Sequence, residues 1–250
     1  MSLVSIITPT FNSASHIKET YNSILNQTYT NWEWFVTDDC SDDDTLKLLE
    51  SIVREDKRVH VFLNETNSGA AVSRNNSLSY AKGDFLAFID SDDLWHPDKL
   101  FKQVTFMNDN YADFSFTSYE LIDQYGEKLG KLVDFGQEGS FDYEDILRKK
   151  ATVGCSTVMI RRSAFDEIKM PLLRTGQDYA TWLSLLKTGK KAFALGEILT
   201  MYRILPNSIS RNKFKKAVRQ WEIYRKIECL SLYKSIKCFV FYAFRAVFRR

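Results

Sequence analysis

Five consecutive apolar residues, Phe85-Leu86-Ala87-Phe88-Ile89, run directly into Asp90-Ser91-Asp92-Asp93. The run is that of a strand buried on both faces, which requires a sheet covered on both sides. Three carboxylates within four residues at its end repel one another unless a cation or a set of donors meets them. A hard divalent cation takes oxygen ligands, and Mg²⁺ is commonly held by one or two carboxylates together with substrate phosphates. One reading is therefore a metal and phosphate site at a strand's carboxyl end, where open α/β sheets form their ligand crevice. The other is a solvated turn that caps a helix beyond Leu94-Trp95-His96-Pro97.

The segments around this run decide the fold class. Val4-Ser5-Ile6-Ile7 stops at Thr8-Pro9 and leads into a helical pattern from Ser15 to Asn26, with Ile17, Tyr21, Ile24 and Leu25 on one face. Trp34-Phe35-Val36 ends at Thr37-Asp38-Asp39, and Ser41 or Asp42 is placed to cap a helix carrying Leu46, Leu49 and Val53. Val59 to Leu63 reads as a third strand and Gly69 to Ala81 as a helix. Strands alternating with helices at this spacing predict an α/β fold with a mostly parallel sheet between helical layers. Further along, Phe114 to Tyr119 and Thr157 to Ile160 read as strands and 126–139 as a hairpin or loop. Thr175-Gly176-Gln177-Asp178 opens a helix from Tyr179 to Lys187, and Lys191 to Leu195 and Ile198 to Tyr202 add two short strands.

With 250 residues, 44% of them hydrophobic, the chain can bury a substantial core. Four scattered cysteines without a Cys-x-x-Cys pair, and no secretory signal at the start, lead to the expectation of a reduced, cytosolic protein. Three histidines, none paired at metal-ligand spacing, argue against a zinc hydrolase. A P-loop and a Gly-x-Gly-x-x-Gly fingerprint are both missing, and Asp38 to Asp44 lacks the glycine and terminal glutamate of an EF-hand. Two strands, ending at Asp39 and Asp90, nonetheless deliver carboxylates to what should be one edge of the sheet.

Five motifs taken in order resemble the series of the family 2 glycosyltransferases over roughly residues 3–210. They are Val4 to Asn12, Thr37-Asp38-Asp39-Cys40-Ser41, Asn67-Ser68-Gly69 through Ser73-Arg74-Asn75, Lys82-Gly83-Asp84 through Asp93, and Gly176-Gln177-Asp178. The resemblance implies a GT-A fold, an inverting mechanism and a nucleotide-sugar donor, in the manner of bacterial enzymes that build surface polysaccharides. It also implies a nucleotide site made of Pro9, Phe11, Asp39, Arg74, Asp90 and Ser91. Phe11 would stack on the base, Asp39 would accept the uracil N3–H, Arg74 would lie along the nucleotide and Asp90 would hold the ribose hydroxyls. Asp92 would bind Mn²⁺ or Mg²⁺, and Asp178 would be the catalytic base. Asp93, Trp95 and Gln177 would lie near the donor or acceptor sugar. Each residue also has a plainer reading: Phe11 and Trp182 as core, Trp95 as core or sugar platform, Asp39 or Asp178 as a helix cap, Arg74 as a surface ion-pair partner.

The chain departs from the family pattern in two places: Gln177 stands where many relatives carry Glu, and Leu205 where some carry histidine. One protein ligand to the metal is therefore expected, with phosphates and water completing the shell. Two other functions fit part of the pattern. A sugar nucleotidyltransferase would need a Gly-rich basic loop after the first strand, which Thr8-Pro9-Thr10-Phe11-Asn12 is not; a non-catalytic nucleotide-sugar-binding protein would not need Asp178.

Residues 211–250 hold twelve of the 34 Lys and Arg but two of the 32 Asp and Glu. From Lys226 onward, Tyr233, Ile236, Val240, Phe244 and Val247 fall on one helical stripe with Lys234 and Arg245 beside it. The domain reading is a catalytic unit over 1–210, with a nucleotide half (1–110) and an acceptor half (111–210), followed by a basic amphipathic tail over 211–250. The apolar run is far short of the ~20 residues needed to cross a bilayer. The tail is expected to lie on the inner face of a membrane through 226–250, or to pack on the body or on a second copy. Expected partners are a nucleotide-sugar and a glycan or lipid-linked acceptor, and no nucleic acid.

Overall fold

The structure is a computed structural model that describes residues 1–206 and 213–248. Ten strands form one sheet: β1 (Val4–Thr10), β2 (Trp32–Asp38), β3 (Val59–Leu63), β4 (Phe85–Phe88), β5 (Leu94–Trp95), β6 (Phe114–Ile122), β7 (Lys128–Val133), β8 (Ser140–Phe141), β9 (Val158–Arg161) and β10 (Ala192–Arg203). The order is β3-β2-β1-β4-β9-β6-β10-β5, with β7 on β6 and β8 on β10. β1 to β4 run parallel, β9 lies antiparallel between β4 and β6, and β10 is parallel to β6. The carboxyl ends of β1, β2, β4, β6 and β10 consequently open on one edge.

Alternation along the strands explains the two helical layers. Ile6, Trp34, Phe85, Ala87 and Ile89 point to one face, where they pack with α1 (Ile17–Leu25), α2 (Thr45–Glu55) and α4 (Lys99–Asp109). Ile7, Phe35, Leu86 and Phe88 point to the other, against α3 (Ala70–Tyr80), α5 (Tyr143–Leu147) and α6 (Gln177–Leu186). The five residues of the opening run are thus buried on both faces, as their continuous apolarity predicts.

Several expectations shift in detail. Neither Ser41 nor Asp42 caps α2: Asp43 accepts from the Thr45 N–H at 2.9 Å, and Leu49 and Ile52 form the fully buried part of the inner face. In α1, Leu25 is exposed while Thr20 is buried. Residues 192–203 form one strand instead of two, with register breaks between Leu195 and Thr200. Gly196 lies where the chain passes so close to the Gln137 carbonyl that a Cβ would sit 2.9 Å from it. The segment 126–139 does form a hairpin arm, β7, on β6.

The last two helices, α7 (Lys213–Glu222) and α8 (Leu232–Phe248), are packed on the body. Ile223, Tyr224, Leu230 and Cys238 belong to the same apolar cluster as Phe88 and Trp182. Lys187 reaches Glu228 at 2.8 Å, and Arg245 donates to the Lys149 carbonyl at 3.0 Å. The boundary drawn between 210 and 211 lies outside the described residues, as does Val247 of the tail stripe in its side chain. No helix among the described residues is long and apolar enough to cross a membrane. All four cysteines are unpaired.

Candidate active site

Pro9 helps to open the crevice. The Ile89 N–H donates to the Ile7 carbonyl, so the next bond of this ladder would need an N–H from residue 9, which proline lacks. Pairing stops there, and the chain turns at Asp90. The neighbouring loops are stitched to each other: the Asn12 N–H donates to Ser41 Oγ at 2.9 Å, and Asn12 Oδ1 accepts from the Asp42 N–H at 3.0 Å. Phe11 is 47% exposed above this edge, which rules out the core reading and leaves its ring face available for stacking.

The three aspartates after β4 have different surroundings. Asp90 pairs with Arg74 of α3, whose side chain is almost wholly buried, and the Asp90 N–H donates to Ser156 Oγ at 3.0 Å. Asp93 is 1% exposed; it accepts from Ser156 Oγ and, at 2.8 Å, from the Arg203 N–H. Burial, reinforced by Asp92 and Asp90, pushes its carboxyl well above the usual range. Asp92 lies between them, and no other described residue donates to its side chain. Burial, then the charge of Asp90, raises its pKa to about 6. A partly buried carboxylate with no donor beyond its own N–H is the kind of oxygen ligand that a divalent cation takes. Among the described residues no group of three or more potential metal ligands is present. Asp92 is the carboxylate of this turn that fits a cation, whose remaining ligands would come from phosphates and water.

The turn is held from three sides. Thr20 of α1 donates from one hydroxyl to the carbonyls of Ser91 and Asp93, both at 3.0 Å. Ser91 Oγ meets Ser13 Oγ at 2.8 Å. Arg203, its side chain wholly buried, donates to the Asp92 carbonyl at 2.7 Å, to the Gln124 carbonyl at 3.1 Å and to Glu19 at 2.6 Å. Arg203, Thr20 and Ser156 are therefore positioning residues that sequence reading missed. The only signal was the segment Tyr202-Arg203-Ile204-Leu205, where attention falls on Leu205 and not on the arginine.

Three expectations are corrected by these contacts. Ser91 is buried against Ser13, so its hydroxyl is committed to joining two loops. Asp93 faces Ser156 and the β10 backbone instead of a sugar. Trp95 is 2% exposed, with its indole N–H on the Ser156 carbonyl at 2.8 Å and Lys99 Nζ 3.7 Å from its ring centroid, so it supports the turn from beneath. Trp182 is core, edge-on to Phe88 and Phe114.

Asp39, at the end of β2, is buried and accepts from the Ser68 N–H at 2.9 Å, the Gly69 N–H at 2.7 Å and Asn64 Nδ2 at 2.7 Å. It therefore shapes the loop before α3 and caps no helix with its side chain. Across the crevice, Asp178 stands in the first turn of α6, where the helix dipole favours a carboxylate. No described residue donates to it, and no side chain caps α6, so the capping reading fails. Gly176 precedes it with φ of +76°; a Cβ there would meet both Arg219 and Ile223 at 3.0 Å. Gln177 is buried, and its Oε1 has no partner among the described residues. Asp90 and Asp178 both act on the Arg74 guanidinium, so the two carboxylates share one site although 88 positions separate them.

A parallel sheet with loops and an acidic turn at its carboxyl edge, continued by a mixed second half, is the GT-A arrangement of glycosyltransferases. The chain belongs to glycosyl transferase family 2, whose model matches residues 5–169. It is 47% identical over 248 residues to a Bacillus subtilis glycosyltransferase, TuaG, assigned provisionally to teichuronic acid biosynthesis; the match covers 99% of this chain and 97% of that one. It is 40% identical to Escherichia coli WfgD, a UDP-Glc:α-D-GlcNAc-diphosphoundecaprenol β-1,3-glucosyltransferase, over 88% of this chain and 85% of that protein. In fold it is similar to Staphylococcus aureus TarS 1–349 solved with UDP-GlcNAc, with a TM-score of 0.75 at 22% identity, over 96% of this chain and 70% of that one.

Proposed function

We propose that this glycosyltransferase moves a sugar, with inversion, from a UDP-sugar to a hydroxyl of a lipid-linked glycan during surface-polysaccharide assembly. The reading is supported by two carboxylates that no other described residue's donor meets, Asp92 after β4 and Asp178 in the first turn of α6. Asp92 would hold Mn²⁺ or Mg²⁺, which supplies charge neutralisation on the departing diphosphate. Asp178 would take the proton from the acceptor hydroxyl as it attacks the anomeric carbon opposite the leaving group. Arg74 orients Asp90 toward the ribose, and Phe11 offers its face to the base. UDP-sugars and a diphosphate-linked acceptor appear in the names of the relatives, which supports the donor and acceptor class. A donor screen for nucleotide release in Mn²⁺ tests it: release of UDP from one sugar nucleotide is expected, and none from any donor would favour a binding protein of the same fold.

Asp39 provides a test of the base. Removal of its carboxylate in Asp39→Ala strands three donors, at a stability cost of about 1–3 kcal/mol. It also removes an acceptor for a ring N–H that cytosine lacks, so the UDP/CDP affinity ratio should fall toward one. An unchanged ratio with lowered stability would leave Asp39 a purely structural residue.

The membrane reading rests on α8. Its Ser235 and Cys238 face the body, whereas Tyr233 (79% exposed), Ile236 (50%) and Val240 (61%) face outward beside basic residues. Such a face suits an anionic interface, here the inner leaflet. The triple variant Tyr233→Ser/Ile236→Ser/Val240→Ser should keep UDP release and lose co-sedimentation with anionic vesicles; high salt should weaken the binding of the unaltered chain. Truncation of α8 would be a poor test, because it removes Cys238 from the apolar cluster of the body and uncovers the residues packed against it. If the variant abolished a dimer instead, a second copy is what covers the face.

A further inference from the structure

The N-terminal turn of α6 is flanked by cations that form no salt bridge among the described residues, although the charges of Asp178 and Glu222 act on one of them, Arg219. Arg219 and Ile223 both lie against Gly176, two residues before Asp178, with contacts that would be 3.0 Å from a Cβ there. Lys216 stands one turn earlier on the same face, since positions 216, 219 and 223 follow helical spacing. Lys131, exposed on β7, is close enough for its charge to act on Lys216. Asp178 and Glu222 act on Arg219 but not on Lys216, so net positive charge remains there for an anion to meet. None of the three takes part in a salt bridge of the described residues, whereas Lys226 on the following turn is paired with Glu222 at 2.8 Å. Partial burial together with the mutual repulsion of Lys216, Arg219 and Lys131 pulls the Lys216 pKa down, the direction that a bound anion would reverse. On the adjoining side of α7, Phe214 is 78% and Val218 45% exposed, so apolar surface borders the cations.

We propose that Lys131, Lys216 and Arg219 bind the diphosphate of a lipid-linked acceptor and thereby bring its sugar hydroxyl to Asp178. The inference rests on the transferase reading above and adds to it the group by which the acceptor is held. Asp92, after β4, and Arg74, on α3, are left to the donor. Two anionic groups are then bound by two separate sets of residues.

The test is calorimetric titration of the full chain with dodecyl diphosphate below its micellar concentration, with and without saturating UDP and Mn²⁺. Binding is expected in both conditions. It should weaken tenfold or more, ~1.4 kcal/mol, in Lys216→Gln/Arg219→Gln and survive in Lys216→Arg/Arg219→Lys. Lys131→Gln, on an exposed strand position, should weaken it by about threefold or more without touching the packing at Gly176. UDP affinity should not change in any variant, and dodecyl glucoside should not bind. A fall in UDP affinity in the glutamine variants would assign the cations to the donor and overturn the proposal. Equal affinity for inorganic pyrophosphate would assign them to a free diphosphate, and undiminished binding in the variants, or none in the unaltered chain, would also overturn it. Alkyl diphosphate binding by a chain that releases no UDP from any donor would instead fail the transferase reading alone.

Discussion

Asp178→Asn is expected to lower the turnover of sugar transfer by roughly 10²–10⁴ while UDP affinity stays within about twofold, the pattern of a lost general base. The substitution is nearly isosteric, and no described residue donates to the Asp178 carboxylate, so no hydrogen bond of the fold is lost. α6 starts at a left-handed glycine and takes no side-chain cap, so its start does not depend on position 178 either. What disappears is the basicity of one oxygen pair facing Arg74 and the crevice. Steady-state kinetics with a saturating donor, together with UDP titration, separates these effects. Unchanged turnover would show that the acceptor proton leaves by another route. A parallel fall in UDP affinity would place Asp178 on the donor.

Asp92→Asn should remove transfer almost entirely, by about 10³ or more, and abolish the gain in UDP affinity that Mn²⁺ gives the unaltered protein. The same substitution should raise the melting temperature in chelator. Burial, followed by the charge of Asp90, lifts the Asp92 pKa from its ordinary 3.8 to about 6. The native state therefore binds more protons than the unfolded chain between those values, and stability falls as pH rises through that window. An asparagine carries no charge to desolvate, so its stability is flat there. At neutral pH the metal-free variant should melt above the unaltered protein, by about 2–4 °C for each kcal/mol relieved. Full activity in chelator would end the metal reading. A lower melting temperature would mean that Asp92 has a native partner.

The strands of the parallel half, their carboxylate ends and the family were legible in the linear order of residues, because each depends on local properties; the short β5 and β8 and the single strand β10 were not. A continuous apolar run means burial on both faces, a proline ends a ladder, and five motifs in order are recognisable without any contact between them. Asp39 and Asp90 come to one edge for the same reason, since parallel strands share their carboxyl ends; Arg74 of α3 and Asp178 of α6 reach Asp90 only through the fold. What only the tertiary structure decided is the division of labour among residues of identical chemistry. Asp92 and Asp93 are neighbours with the same side chain, yet Ser156 and the Arg203 N–H engage Asp93 and leave Asp92 without a donor from another described residue. Those partners lie 63 and 110 positions away from Asp93, beyond the reach of any local pattern. Trp95 likewise became a support because Ser156 offers its carbonyl beneath the turn. The tail followed the same logic. Its amphipathic period was visible, but both sides of α8 carry apolar residues, and packing of Cys238 and Ser235 against the body selected which side remained outside.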